Sequence, residues 1–552
     1  MKYTLSFLIA TFMILLAAFL PRPASRQKRV GLLARLWRGA PNAAPLLLLT
    51  VGAAVRIYAF GSIPNGIFVD EAIIGYDAYS LLHYGIDHNG FSYPIHLASF
   101  GSGQHALYAY LSMPFIAALG LNQVSIRLVN LVFGLLSLGV FYLLALRTDG
   151  RKTALAALFL LAINPWHIMI SRWGLECNLF PAIFLLATFF LAHSLQGGRT
   201  FGVAMLLYGA SLYAYGTAYY VVPVFLLMVA VYLGLHRCLG LKTVLGGGLI
   251  LVLTGLPIAL YVAVNALGWQ TIQIGAITIP RLPAAARFTQ IFSLFSGGGL
   301  YESLANNAAA LTRLLITQQD GYLWNALPGF GILYLFGLPL VLGGLWAVVQ
   351  EKRGQRAFRL NNVFLFWLAA ALLLALVIPV NINRVNILFL PLIYLAARAL
   401  VFVWVRSRFL AGGLVLLCLA WFGLFVHAYL KSYPQQIGPA FNESFGQAIQ
   451  EASNRTDQTI FITKEVHLPY AYVLFYTQPS PYDFLETVVY VDPEAEFRDA
   501  ASFGRYRFME AAAMPPGGGA YVISNREAEH FDAADYTIIP YKLFSILIPT
   551  SP

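Results

Sequence analysis

Apolar runs recur along the chain from residue 5 to residue 430, separated by short polar connectors, and after 430 they give way to brief alternating segments. A helix needs roughly 20 apolar residues to cross a bilayer core. On that measure spans are expected at 43–60, 125–146, 153–168, 178–195, 201–216, 218–235, 243–264, 329–350, 361–379, 385–404 and 409–430. A further run, ALYAYLSMPFIAALG (106–120), is short and contains Pro114. We read it as a helix lying at the membrane interface. The N-terminal run LSFLIATFMILLAAFL (5–20) has the length of a signal peptide or of a twelfth span. A basic stretch and a span follow where a cleavage site and mature domain should begin, which favours an extra or peripheral helix. Beyond 430, NESFGQAIQEASNR reads as a helix, and TIFIT, TVVYV, AYVIS and YTIIP read as strands. The fold class is therefore a polytopic α-helical membrane protein of about 11 spans with a C-terminal soluble α/β domain. The divisions are an N-terminal apolar and basic segment (1–42), a membrane domain (43–430) and the soluble domain (431–552).

Composition agrees with this pattern: 59% of residues are hydrophobic and 11% charged, against about 25% charged in ordinary globular domains. The net charge of +11 divides unevenly. Residues 1–430 carry 27 Lys/Arg and 9 Asp/Glu, whereas 431–552 carry 8 and 15. The basic residues concentrate in connectors: PRPASRQKRVGLLARLWRGA (21–40), RTDGRK (147–152), HRCLGLK (236–242), EKRGQRAFR (351–359) and the Arg406/Arg408 pair. By the positive-inside rule these face the cytoplasm, and 61–124, 169–177, 265–328, 380–384 and the C-terminal domain lie outside. The basic surplus thus reports topology in a multi-pass protein of the cell (inner) membrane, and no nucleic-acid partner is expected. Cys177, Cys238 and Cys418 are scattered, so neither a zinc site nor a disulfide framework is expected.

Nine acidic residues precede position 431, and four of them, Asp70, Glu71, Asp77 and Asp87, fall within 18 residues of one proposed external loop. The insertion cost of a mid-membrane carboxylate, roughly 2.5–3.5 kcal/mol, explains an external position but not an adjacent Asp-Glu pair. IPNG before the pair reads as a turn, and AIIGYDAYSLLHY after it as an amphipathic helix. Ile73, Tyr76 and Leu81 would then face the membrane, with Asp77 and Ser80 pointing away. Asp70 and Glu71 would stand at the membrane surface, where a base meets both a lipid-bound and a water-soluble substrate.

Further segments add to this: Arg56-Ile57-Tyr58 closing the first span, Arg127-Leu128 opening the next long one, NPWHIMISRWGLECN (164–178), DGYLWNALPGFGILY (320–334) and NINRVNILFLP (381–391). In this order the set resembles the GT-C glycosyltransferases, in particular bacterial members of the protein O-mannosyltransferase and aminoarabinose-transferase group. The resemblance implies a GT-C fold and inverting transfer of a sugar from a polyprenyl-phosphate carrier to a glycan, lipid or protein acceptor at the outer face. It implies Asp70 as general base, a role that contributes roughly 10²–10⁴-fold. Glu71 reads equally as an orienting residue or as a solvated neighbour.

For the leaving phosphate the candidates are Arg56, Arg127, Arg172, Arg281, Arg287, Arg313 and Arg384. Arg172 and Arg384, each in a short turn at the mouth of the bundle, are preferred among these; for either one alone interfacial snorkelling is the simpler reading, but less so for both. Glu176 pairs with Arg172 or serves as a second carboxylate. Asp320 and Asn325, with Gln318, read either as ligands of sugar hydroxyls or as a polar loop. Tyr76 and His167 complete the substrate-binding candidates. The histidine spacing fits no zinc motif, so no metal ligand is assigned and a divalent cation is left open as cofactor. The other partners expected are membrane lipids. A transporter or flippase of lipid-linked glycans is the alternative, and a non-catalytic scaffold a third.

Overall fold

The computed structural model describes residues 2–20, 43–236, 238–283, 299–352, 359–532 and 534–550. The basic stretch 21–40, Arg287 and most of EKRGQRAFR lie outside the described residues. The bundle comprises α1 (Lys2–Phe19), α2 (Ala43–Ile57), α3 (Val69–Tyr84), α4 (Leu107–Leu119), α5 (Gln123–Asp149), α6 (Arg151–Ala162), α7 (Pro165–Ile170) and α8 (Leu179–Ser194). It continues with α9 (Phe201–Ser211), α10 (Ala218–His236), α11 (Leu241–Ala266), α12 (Leu300–Thr317), α13 (Gly337–Lys352), α14 (Asn362–Val377), α15 (Phe389–Arg406) and α16 (Arg408–Lys431). Each of the eleven expected spans contains a helix. Among the described residues, six helical stretches are long and apolar enough to cross a membrane: 123–149, 176–194, 218–236, 241–266, 386–406 and 408–431. The molecule is a multi-pass membrane protein.

Three expected spans are cut short: the 201–216 span ends at Ser211, and two others are shortened for identifiable local reasons. The 153–168 span stops at Ala162, because Pro165 pushes Asn164 out of helical geometry. Asn164 takes φ −68°, ψ 123°, and its side chain accepts a bond from the His167 amide to start α7. At 1.5 Å per residue the 12 residues of α6 reach only about 18 Å. The 329–350 span begins at Gly337, since Gly329, Gly331 and Tyr334 all adopt positive φ.

Two other helices sit differently from expectation. The α3 face holding Ile73, Tyr76 and Leu81 does not meet lipid, and neither do Asp77 and Ser80 point to solvent: all five are fully buried. The helix is wedged between α4 and a helix of the C-terminal domain. The N-terminal α1 packs on α13, α15 and α16, buries Ala10, Ile14 and Ala17, and accepts a hydrogen bond at Ser6 Oγ from Trp421 Nε1 (2.9 Å).

Two hairpins decorate the bundle: β1 (His96–Leu97) with β2 (Gln104–His105), and β3 (Ile272–Ile274) with β4 (Ile277–Ile279). The C-terminal region adds α17 (Phe445–Arg455), α18 (Pro469–Thr477), α19 (Pro481–Thr487) and seven strands. These are β5 (Ile460–Thr463), β6 (Val489–Tyr490), β7 (Ala500–Phe503), β8 (Tyr506–Met509), β9 (Ala520–Ser524), β10 (Tyr536–Pro540) and β11 (Phe544–Pro549), in the order β10-β11-β9-β5-β8-β7-β6. Only the pairs of β5 with β8 and β9 are parallel. The central strands β5 and β9 are buried along their whole length, which is why they read as continuous apolar runs. This sheet domain is seated on the end of the bundle where α3 begins, α18 packing on α3.

Candidate active site

The IPNG turn delivers the chain into α3. Gly66 sits at φ +81° with a would-be Cβ only 2.1 Å from the Phe441 carbonyl, so a side chain there is excluded. The Ile67 amide donates to that same carbonyl at 2.8 Å, pinning the turn to the chain that leads into the C-terminal domain. Phe68, the residue before the helix, is held among Trp173, Trp324 and Phe441 at ring distances of 5.2–5.6 Å. Asp70 then falls in the first turn of α3, half-buried, where the helix N-terminus favours a carboxylate.

Glu71 has a different fate from its neighbour. It is fully buried and forms a two-point ion pair with Arg127, Nε to Oε1 at 2.8 Å and Nη2 to Oε2 at 2.9 Å. Its oxygens also accept from the amides of Gly174 (2.6 Å) and Phe68 (3.0 Å). Arg127 in turn donates to the carbonyls of Pro64 (2.7 Å) and Gly66 (2.8 Å). One buried pair therefore ties the IPNG turn, the start of α3 and the Trp173–Glu176 turn together. Glu71 is neither solvated nor in the cleft described next.

That cleft encloses about 480 Å³ between the bundle end and the C-terminal domain. Asp70, Glu176, Asn325 and Arg384 all line it. Its walls are aromatic, with Trp173, Trp324, Tyr322, Tyr215 and Tyr261 from the bundle and Phe497 from the C-terminal domain. Tyr322 and Trp324 stack at 4.8 Å. The C-terminal domain also contributes His467 and Glu496. Arg384 is held loosely: Asn381 Oδ1 accepts from its amide at 2.8 Å, and among the described residues its guanidinium makes one hydrogen bond, a long 3.4 Å contact to the Pro379 carbonyl. Asn325 Nδ2 donates to Asp320 Oδ2 (2.8 Å), which fixes the amide orientation. Its buried Oδ1 has no donor among the described residues. Trp173 Nε1 is likewise buried without an acceptor.

The remaining expected residues lie away from the cleft. Arg172 is fully buried, and its guanidinium donates to the carbonyls of Val55, Arg56, Tyr58, Ala59 and Ile63 at 2.8–3.3 Å. It closes the C-terminal end of α2, an end rich in orphan carbonyls, and so is neither a group facing the cleft nor an interfacial anchor. Glu176 accepts from Gln104 Nε2 at 3.2 Å. His167 is buried against Arg56 (2.8 Å). Tyr76 donates to the Pro479 carbonyl at 2.7 Å, joining α3 to the C-terminal domain. Asp320 stands behind Asn325, accepting also from the amides of Ile382 (2.9 Å) and Tyr322 (3.2 Å), and so links the two loops that carry Asn325 and Arg384.

Behind the cleft runs a buried polar network that the sequence pattern did not suggest. Asp77 Oδ1 accepts from the amide and Nδ1 of His88 (3.0 and 2.6 Å), and Asn89 bonds His88 Nε2, the Ser99 carbonyl and Arg498 of the C-terminal domain. Burial, then the nearby Asp77 charge, pushes the Asp87 carboxyl up to about 7. His96 and His105 face each other across β1–β2 at 4.8 Å, but no group of three His, Cys, Asp or Glu able to hold a metal forms among the described residues. Of the cleft residues not anticipated, Trp173, Tyr322 and Trp324 lay inside the segments singled out by motif. His467, Glu496 and Phe497 carry no local signal, because only the folding of a distant domain brings them here.

The fold is thus a membrane helical bundle with a mixed-sheet domain seated over a cleft at one end, and Asp70 lines that cleft. Structural comparison gives the particular likeness. The chain is similar to ArnT from Cupriavidus metallidurans bound to undecaprenyl phosphate, with TM-score 0.56 and 14% identity over 93% of this chain and 99% of that one. The apo state of the same protein gives 0.55 and 13% over 92% and 98%. The Archaeoglobus fulgidus oligosaccharyltransferase in complex with zinc and sulfate gives 0.50 and 13% over 79% and 61%. No family model matches the sequence, and no curated protein matches it.

Proposed function

We propose that this protein is a glycosyltransferase that moves a sugar from a polyprenyl-phosphate carrier to an acceptor hydroxyl or amine with inversion. The observation that carries this reading is the presence of Asp70 and Arg384 in one aromatic-walled cleft at the end of a membrane bundle. Asp70 takes the proton of the acceptor nucleophile as that atom attacks the anomeric carbon. The carbon–oxygen bond to the carrier phosphate breaks, and Arg384 receives the phosphate charge. The face of a tryptophan or tyrosine suits the apolar face of a sugar ring, and Asn325 Oδ1 and Trp173 Nε1 offer an acceptor and a donor to its hydroxyls. Glu176 is a second carboxylate in the same space. Glu71 and Arg127 hold the two turns that carry Asp70 and Trp173. The ArnT structure with undecaprenyl phosphate supports the choice of carrier. The distribution of basic connectors supports a cytoplasmic face for the opposite end, and so an extracytoplasmic cleft and C-terminal domain.

The test is Asp70→Asn, which keeps the shape of the side chain but cannot take the proton. Transfer from a polyprenyl-phosphate-linked sugar should fall by at least roughly 100-fold. Binding of undecaprenyl phosphate, followed by native mass spectrometry, should persist. Near-normal transfer by the variant would defeat the mechanism.

A further inference from the structure

A second cavity lies at the other end of the bundle. The consecutive helices α10 and α11 hardly touch: α10 packs on α14, and α11 packs on α9. The gap between them is a groove of about 510 Å³, lined entirely by apolar residues and glycine, among them Phe201, Met205, Leu233, Gly234, Gly248 and Leu251. The α11 wall runs from the cleft to this groove. Tyr261 of α11 lines the cleft and Gly248 lies 13 residues before it, roughly 20 Å along the axis.

Three features say what fills it. Protein interiors tolerate few voids larger than a water molecule, so an apolar gap of this size needs an apolar guest. Glycine weakens a helix interior unless something requires it. In α11, Gly247 is required, since a Cβ there would come within 2.3 Å of Phe201. Gly248 and Gly234, however, line the groove, and a Cβ on either would meet nothing within 4 Å. Finally, the exposed Arg199 and Lys242 each stand two residues from a lining position, Phe201 and Val244. The stretch between Glu176 and Glu302, which supplies every lining residue of the groove, contains no Asp or Glu.

We propose that this groove holds one acyl chain of an anionic phospholipid, with the headgroup on Arg199 and Lys242. The carrier's phosphate belongs at Arg384, at the far end of the bundle, so it does not compete for Arg199 and Lys242. The site is independent of the transfer reaction, so its test reads lipid and not activity. The full chain is released from nanodiscs containing equal amounts of phosphatidylglycerol and phosphatidylcholine of matched chains, and retained lipid is measured by native mass spectrometry. Wild type should keep phosphatidylglycerol over phosphatidylcholine by at least roughly five-fold, the contribution of one basic side chain near an anionic surface. Arg199→Gln/Lys242→Gln should bring that ratio close to one while lipid is still bound. Gly234→Leu/Gly248→Leu, which fills open space, should lose the retained lipid. Equal retention of both lipids by wild type, or undiminished phosphatidylglycerol on the glycine double variant, would overturn the proposal.

Discussion

Replacing Arg127 by Met should destabilise the protein far more than any exposed charge change, and the structure sets the size of the effect. The change strips Glu71 of two hydrogen bonds, at 2.8 and 2.9 Å, and leaves a fully buried carboxylate supported by two backbone amides alone. It also orphans the carbonyls of Pro64 and Gly66. Breaking a buried pair from one side costs about 3–5 kcal/mol. Glu71→Gln removes the charge but keeps one acceptor oxygen, so a loss nearer about 1.5–3 kcal/mol is expected, the worth of a charged hydrogen bond. In the double variant no carboxylate is stranded. The two losses should therefore fall short of additivity, with a coupling of at least about 1 kcal/mol. Equilibrium unfolding in mixed micelles measures all three variants. Strict additivity, or an Arg127→Met cost below about 1 kcal/mol, would show that the pair is not what holds the turns together.

The two arginines expected to bind phosphate should now behave in opposite ways. Arg384→Gln should weaken undecaprenyl phosphate binding with little change in the unfolding midpoint, whereas Arg172→Gln should lower that midpoint. Equal loss of binding in both would return Arg172 to the phosphate site. The raised Asp87 carboxyl predicts a pH slope. Between its ordinary value of 3.8 and its folded value of about 7, the native state keeps a proton that the unfolded chain has lost. Its contribution to stability is thus full below about 4 and disappears as pH rises toward 7. Asp87→Asn should flatten the dependence of the unfolding midpoint over that window, and an unchanged slope would exclude Asp87 as its source.

Much of the bundle was legible because apolar length is a direct consequence of the solvent the helices occupy. The errors arose where a local rule or a distant partner intervened. Asn164-Pro165 ended a span that hydropathy alone would continue, and the Gly329–Tyr334 turns delayed another. The face assigned to lipid on α3 was apolar for a different reason, since it meets α4 and α18. Hydrophobic periodicity states that a face is buried and not what buries it. In the C-terminal domain, β7, β8 and β11 were missed although β5 and β9, the partners of β8 and β11, stood out. Central parallel strands are continuous apolar runs, whereas β7 and β8, AASF and YRFM, are short and mixed.

The site divides along the same line. Arg172 and Arg384 share a residue type, a short turn and a place at the mouth of the bundle, and nothing within five residues of either tells them apart. What separates them is the company each keeps. Arg172 meets the frayed end of α2, where five carbonyls exhaust its donors, while Arg384 meets a cleft and one long bond. Asp70 and Glu71 divide similarly despite being adjacent, because successive helical residues point about 100° apart. One side chain enters the cleft and the other turns back into the packing, where Arg127 neutralises it. The Asp-Glu dipeptide at this helix start thus places one carboxylate in the cleft and uses the other to fix the turn that carries it. Their variants should differ accordingly, Asp70→Asn losing turnover in a stable protein and Glu71→Gln losing stability first.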